Sequence, residues 1–299
     1  MKYAFIGLGN LGGHLAANLL AADLEVCVHD RDRALADRHV SAGADWAATP
    51  TEAVREADAL VTCLPSPAIS EAILREVLPE MRSGATWIEM STLGRDDILR
   101  LADVAAEYGV RTLECPVTGG VHLARTGEIT VLAGGDAELF EAHRPALEAM
   151  SGRIFHIGAL GQASVIKVIT NMLAFIHLVG CGEALMLAKR GGLDLGQAWA
   201  AIAASSGSSF VHETEGQLIL NGSYDVAFTM DLALKDLGFA AGFGEEFGVP
   251  LDLAGRVREI FETGRAAYGG EAQSTQIVKL LEDALGTDLR AEGFPARLE

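Results

Sequence analysis

The sequence predicts an α/β domain built on a parallel sheet, followed by an all-α domain, with the boundary near residue 160. Two patterns carry that expectation. Up to about Gly158, short β-branched or apolar runs alternate with amphipathic stretches, the order expected of βαβ units. From Ser164 onward, apolar stripes recur at the 3.6-residue helical period and little reads as strand. The expected domains are therefore 1–160 and 161–299. With 299 residues, 49% of them apolar, the chain is long enough to build two cores.

Taken in order, Lys2–Ile6, Glu25–His29, Ala59–Leu64 and Thr86–Met90 read as strands. Helical stretches near Leu11–Ala22, Ala34–Ala42, Ile69–Met81 and Asp96–Tyr108 fall between and after them. Arg111–Glu114, Ile129–Ala133 and Arg153–Ile157 read as further strands, the last two flanking a helix at Ala137–Met150. The run Val165–Leu187 has the length of a membrane span, but Lys167, Asn171, His177 and Glu183 interrupt it, and each is costly in hydrocarbon. It is expected as a buried core helix. Beyond it, Gly191-Gly192, Ser205–Ser209, Asn221–Ser223 and Gly248-Val249-Pro250 carry turn chemistry. The polar tail from Gly286 is expected to be loosely held.

A formal charge of −18 speaks against a nucleic-acid partner and against adsorption to an anionic membrane. The four cysteines, Cys27, Cys63, Cys115 and Cys181, are far apart and include no CxxC pair, so neither a disulfide framework nor a metal site is expected. Met1-Lys2 leads straight into a strand without a signal-peptide pattern, and the cytoplasm is the expected compartment.

Gly7-Leu8-Gly9-Asn10-Leu11-Gly12 is a GxGxxG loop that follows a strand and opens a helix. In that setting Gly7 makes the tight turn, Gly9 admits a pyrophosphate to the backbone, and Gly12 lets helix and strand pack closely. Amides at the helix start then bind the anion. Asp30 closes the second strand at the offset where a carboxylate receives the adenosine ribose hydroxyls, which favours NAD over NADP. Arg31 and Arg33 pull the other way, because a guanidinium there suits a 2′-phosphate. A charged, solvated turn would use the same three residues.

Lys167 and Asn171 lie four residues apart in the apolar helix Ser164–Ala188 and so share a face. Desolvation lowers an ammonium pKa, which would make Lys167 a proton donor and acceptor near neutrality. Spacing alone serves a snorkelling lysine with a capped asparagine equally well. Lys235-Asp236 is a second polar pair, which periodicity alone assigns to the wet face of an amphipathic helix. Thr118-Gly119-Gly120 offers a hydroxyl and free amides that suit a carboxylate, or simply a tight turn. Ser91-Thr92 and Leu64-Pro65 stand at strand carboxyl ends, where open α/β sheets bind ligands.

Together these segments resemble the β-hydroxyacid dehydrogenase family, typified by 3-hydroxyisobutyrate dehydrogenase. The resemblance runs over nearly the whole chain, from Phe5–Gly12 through Pro116–Gly120 and Gly161–Asn171 to Leu234–Leu237. It implies a Rossmann-type dinucleotide-binding domain and a helical domain that makes the dimer or tetramer contacts. It implies a small hydroxy acid as substrate, NAD or NADP as cofactor, and Lys167 as acid/base with Asn171 at the substrate. Thr118, Gly119 and Gly120, with Ser91 and Lys235, would hold the substrate, and Thr92, Leu64, Pro65, Lys235 and Asp236 would lie beside the cofactor. Four positions depart from the family's usual residues: Leu11 stands for Met, Thr118 for Ser, Ala163 for Gly and Ile69 for Asn.

Other oxidoreductase classes fit less well. A Tyr-x-x-x-Lys pair is missing, since Thr112, Phe228 and Ala272 follow Tyr108, Tyr224 and Tyr268 by four residues. The decarboxylating 6-phosphogluconate relatives carry Lys-x-x-His-Asn, and Thr170 replaces that His. Imine-reducing relatives typically lack the lysine. A non-catalytic cofactor-binding module is the remaining alternative, and the retained Lys167 counts against it.

Overall fold

The computed structural model describes residues 1–298 and divides into two compact units, Met1–Lys167 and Val168–Glu299. The first unit runs β1 (Lys2–Ile6), α1 (Gly12–Ala21), β2 (Glu25–His29), α2 (Asp37–Ser41), β3 (Asp45–Trp46), α3 (Pro50–Val54) and β4 (Ala59–Thr62). It continues with α4 (Pro67–Val77), β5 (Thr86–Glu89), α5 (Arg95–Glu107), β6 (Arg111–Glu114), β7 (Val117–Thr118) and α6 (Val121–Thr126). It closes with β8 (Thr130–Gly134), α7 (Ala137–Met150) and β9 (Arg153–Gly158).

The strand order is β3-β2-β1-β4-β5-β6-β8-β7, with β9 paired to β8. From β3 to β6 all pairs are parallel, whereas β8 runs antiparallel to β6 and β7. The chain winds outward from β1 through β2 to β3, then returns to β4 on the other side of β1. That reversal makes the carboxyl ends of β1 and β4 the topological switch point, where such sheets bind ligands. Alternate residues of each strand feed two cores. Tyr3, Phe5, Val26 and Val61 join Leu15 and Leu19 of α1 on one face. Ala4, Ile6, Leu60 and Trp87 join Leu74 of α4 and Leu101 of α5 on the other.

Four short elements escaped the sequence reading. β3 has two residues, too few to show an alternation. α3 is a single turn opened by Thr49, whose hydroxyl accepts from Glu52 N, with Pro50 at its first position. β7 and α6 lie in what reads as a glycine turn.

The second unit carries most of α8 (Gln162–Arg190), then α9 (Leu195–Ala203), α10 (Phe210–Glu213), α11 (Glu215–Asn221), α12 (Met230–Phe247), α13 (Asp252–Tyr268) and α14 (Lys279–Leu285). Asp194, Ser209 and Thr229 cap α9, α10 and α12, and Gly222 and Gly248 end α11 and α12 in the left-handed conformation. Phe175 and Leu178 of α8 pack with Phe261 of α13 and Leu237 of α12. α8 is not the wholly buried helix expected: Ile169, Leu173 and Leu187 are exposed. The expectation of a loose tail also fails. Leu289 is fully buried, Leu289 N and Arg290 donate to the buried Glu282, and Asn221 donates to the Phe294 carbonyl.

Candidate active site

The glycine loop sits at the switch point. Gly7 N donates to the His29 carbonyl and Cys63 N to that of Ile6, so β1, β2 and the end of β4 converge there. A Cβ on Gly7, whose φ is +100°, would strike the Cys63 carbonyl oxygen. One on Gly12 would strike the Gly7 carbonyl oxygen. Gly9 differs, because a Cβ there meets nothing within 4 Å. Packing inside the chain does not demand glycine at that position, whereas close approach by a ligand would. α1 begins with no side-chain cap and no acidic residue in its first turn, which suits an anionic pyrophosphate. Within the loop Leu8 is buried, Leu11 half-buried and Asn10 exposed.

Asp30 follows β2 and holds the loop directly. Its carboxylate accepts from Leu8 N at 2.7 Å and from Asp32 N at 2.9 Å. The two arginines behave differently. Arg33 pairs with Asp37 at 2.6 Å and stacks over Trp46, while Arg31 is exposed.

Sequence reasoning missed two buried acids in this unit. Glu89 ends β5 and accepts from Ser91 N at 2.7 Å, and the Ser91 hydroxyl accepts from Leu64 N at 2.7 Å. Ser91 is thus a bracket between strand ends, with its hydroxyl turned to the Leu64 amide. Leu64 and Thr92 are half-buried beside it, and Pro65 is exposed. Glu114 ends β6 and reaches the start of α8, accepting from Ala163 N and Ser164 N, each at 3.0 Å, and from Ser164 Oγ at 2.5 Å. Burial pushes both carboxyls above the usual range, against the pull of these donors. The available signal was an acid closing an apolar strand, a pattern also shared by solvated strand ends. Thr118 ends β7, four residues past Glu114. Gly119 and Gly120 follow with φ of +125° and +88°, a backbone that glycine tolerates.

Lys167 lies on α8 in the turn after Ser164 and is 7% exposed, buried in spite of its charge. Asn171 follows one helical turn later. In the helical unit its Nδ2 donates to Asp236 Oδ2 at 2.6 Å. Lys235 Nζ pairs with Asp236 Oδ1 at 3.0 Å and lies over the Phe239 ring. Asp236 is only 1% exposed, and its carboxylate receives both Asn171 and Lys235.

Known proteins are similar to this chain over most of its length. Residues 2–158 match the NAD binding domain of 6-phosphogluconate dehydrogenase, and residues 161–281 match the NAD-binding domain of NADP-dependent 3-hydroxyisobutyrate dehydrogenase. The 2-(hydroxymethyl)glutarate dehydrogenase of Eubacterium barkeri is 31% identical over 97% of both chains. The NAD-dependent L-serine dehydrogenase of Pseudomonas aeruginosa is 33% identical over 80% of this chain and 84% of its own. The structure of Mycobacterium tuberculosis 3-hydroxyisobutyrate dehydrogenase with L-serine superposes with a TM-score of 0.84 at 28% identity, covering 94% of this chain and 98% of that one. The chain belongs to the β-hydroxyacid dehydrogenase family and is an NAD(P)-dependent oxidoreductase acting on the CH–OH group of hydroxy acids.

Proposed function

We propose that the enzyme interconverts a small β-hydroxy acid of the 3-hydroxyisobutyrate kind with its semialdehyde or keto acid, using Lys167 as general acid/base and NAD as preferred cofactor. The observation that carries this reading is the burial of Lys167 on an otherwise apolar stretch of α8. A buried amine at this position takes the hydroxyl proton during oxidation and returns it during reduction. When bound, the nicotinamide accepts or gives back the hydride. The amides of Gly7–Gly12 hold the pyrophosphate, and Asp30 receives the ribose hydroxyls. Leu64, Pro65, Thr92 and Lys235 line the cofactor's path, and Ser91 lies at the substrate. Asn171 meets the substrate hydroxyl, and Thr118-Gly119-Gly120 anchors the substrate carboxylate, so that geometry supplies much of the rate.

Two observations support NAD over NADP. The Asp30 carboxylate is fixed by two backbone amides, and Arg33 is engaged by Asp37 and Trp46. The relatives named for 2-(hydroxymethyl)glutarate and L-serine favour a hydroxyl one carbon removed from the carbon bearing the carboxylate. In this reading residues 1–160 are the dinucleotide-binding domain, and 161–299 are the helical substrate and dimerisation domain of a homodimer or homotetramer. The exposed Ile169, Leu173 and Leu187 support that assembly. Free cysteines among the described residues favour the cytoplasm, and the net charge of −18 disfavours nucleic-acid or membrane partners.

The test mixes the protein with NAD or NADP and a panel of β-hydroxy acids and follows absorbance at 340 nm. Reduction of NAD by at least one panel member is expected, and Lys167→Ala should lose turnover by about two orders of magnitude while binding NAD normally. Near-wild-type turnover in that variant would sink the acid/base role, and silence across the panel would sink the substrate class.

A further inference from the structure

We infer that Glu114 is a positioning residue that ties the substrate anchor to the proton-transfer helix. The inference rests on the acid/base reading of Lys167. Glu114 occupies a joint in the first unit. On one side it ends β6, four residues before Thr118, so its backbone leads directly into the Thr118-Gly119-Gly120 loop. On the other, its carboxylate accepts from Ala163 N, Ser164 N and Ser164 Oγ, all in the first turn of α8. Ser164 precedes Lys167 by three residues, which puts the two on one helical face. Holding that turn sets the direction in which Lys167 leaves the start of α8.

The surroundings are built for this contact. Glu114 is 1% exposed. It pairs with Gly134 of β8, and a Cβ at Gly134 would run into Glu114 Oε1, so glycine makes room for the carboxylate. Gly161, just before the helix, adopts a φ of +90°, which turns the chain from β9 into the amides that Glu114 receives. Both carboxylate oxygens are engaged, Oε1 by Ala163 and Oε2 by Ser164. A shorter side chain could not span the gap. Gln would keep one acceptor and place an NH2 group against the other amide.

The prediction is a coupling between two positions that do not share a chemical step. Single-turnover rates, measured at 340 nm with enzyme in excess, are compared for Glu114→Ala and Glu114→Gln, each with Lys167 present and in a Lys167→Ala background. With Lys167 present, Glu114→Ala should lower the rate about 10- to 100-fold, the scale of a displaced catalytic group, with Glu114→Gln in between. Cofactor affinity, read from NADH fluorescence, should stay unchanged. In the Lys167→Ala background the same substitutions should cost clearly less, because no amine is left to misplace and only a shift of the anchor loop remains. Equal losses in both backgrounds, or no loss with Lys167 present, would overturn the inference. If Glu114→Ala does not fold, Glu114→Gln carries the same comparison. A Lys167→Ala single variant that keeps near-wild-type rates overturns the acid/base reading, and that outcome is visible before Glu114 is touched.

Discussion

Asn171 donates its side-chain amide to Asp236 across 2.6 Å, and that acid is almost wholly removed from solvent. The same carboxylate receives Lys235, so one buried group fixes the directions of two side chains. An asparagine amide is otherwise free to turn over. Donation from Nδ2 fixes which end faces Asp236.

Asp236 should therefore matter to rate more than a structural acid would. Replacing it with Ala removes a buried acceptor from two donors, a loss of about 1–3 kcal/mol in stability. Turnover should fall by about 10-fold or more as Asn171 loses its orientation. Asp236→Asn retains one acceptor and should recover part of the rate. Urea melts and initial rates on the same preparations check both effects. Unchanged rates in Asp236→Ala would show that Asn171 needs no such hold.

The three glycines of the cofactor loop should separate by what they protect. Gly7→Ala and Gly12→Ala force a Cβ against backbone oxygen and should destabilise the fold by about 2 kcal/mol or more. Gly9→Ala meets no protein atom and should melt like the wild type. Its effect should fall on NAD affinity, because the added methyl intrudes where the pyrophosphate approaches. Thermal melts with and without NAD distinguish the cases, and a Gly9→Ala protein with native affinity would contradict the cradle assignment.

How much of this was legible in the sequence depended on the range of the interaction. The glycine loop and the Lys167–Asn171 spacing are local patterns, set within a dozen residues by turn geometry and helical periodicity, and the structure retains both. Glu114 was opaque because its partners lie 49 and 50 residues away, and a strand-end acid normally faces water. The tail misled for a similar reason. Its polar composition suggested looseness, yet Arg290 and Leu289 N share Glu282 with the Tyr224 hydroxyl, a network that exists only after folding. The hydrogen bond from Asn171 to Asp236 was equally opaque, because the two residues lie 65 apart and meet only when α8 and α12 pack.

Cofactor preference should respond to Asp30 in two ways at once. Asp30→Ala removes the acceptor for Leu8 N as well as the charge that would repel a 2′-phosphate. Catalytic efficiency with NAD should drop by about 10-fold, on the scale of a lost charge-assisted hydrogen bond, while discrimination against NADP narrows. Arg33→Ala should alter selectivity little, since that guanidinium is engaged by Asp37 and Trp46. Steady-state kinetics with both cofactors test this, and an Asp30→Ala protein with unaltered discrimination would refute the assignment.

Acid stability should turn on His143, which donates and accepts between Tyr3 and Thr86 inside the first unit. Burial pushes its imidazole from 6.5 down to about 4, with Arg111 adding to the shift and Asp58 opposing it. The folded protein therefore favours the neutral ring. Because the folded value lies below the unfolded one, the contribution is fully present above about pH 6.5 and is lost as pH falls toward 4. The difference corresponds to about 3 kcal/mol. Glu89 and Glu114 titrate with the opposite sign, since burial raises both, so the wild-type curve alone mixes the effects. His143→Gln removes only the imidazole. Urea unfolding at pH 7, 5 and 4 should show the wild type losing about 3 kcal/mol more than the variant over that span. Parallel curves would mean that the ring titrates alike in the folded and unfolded chains.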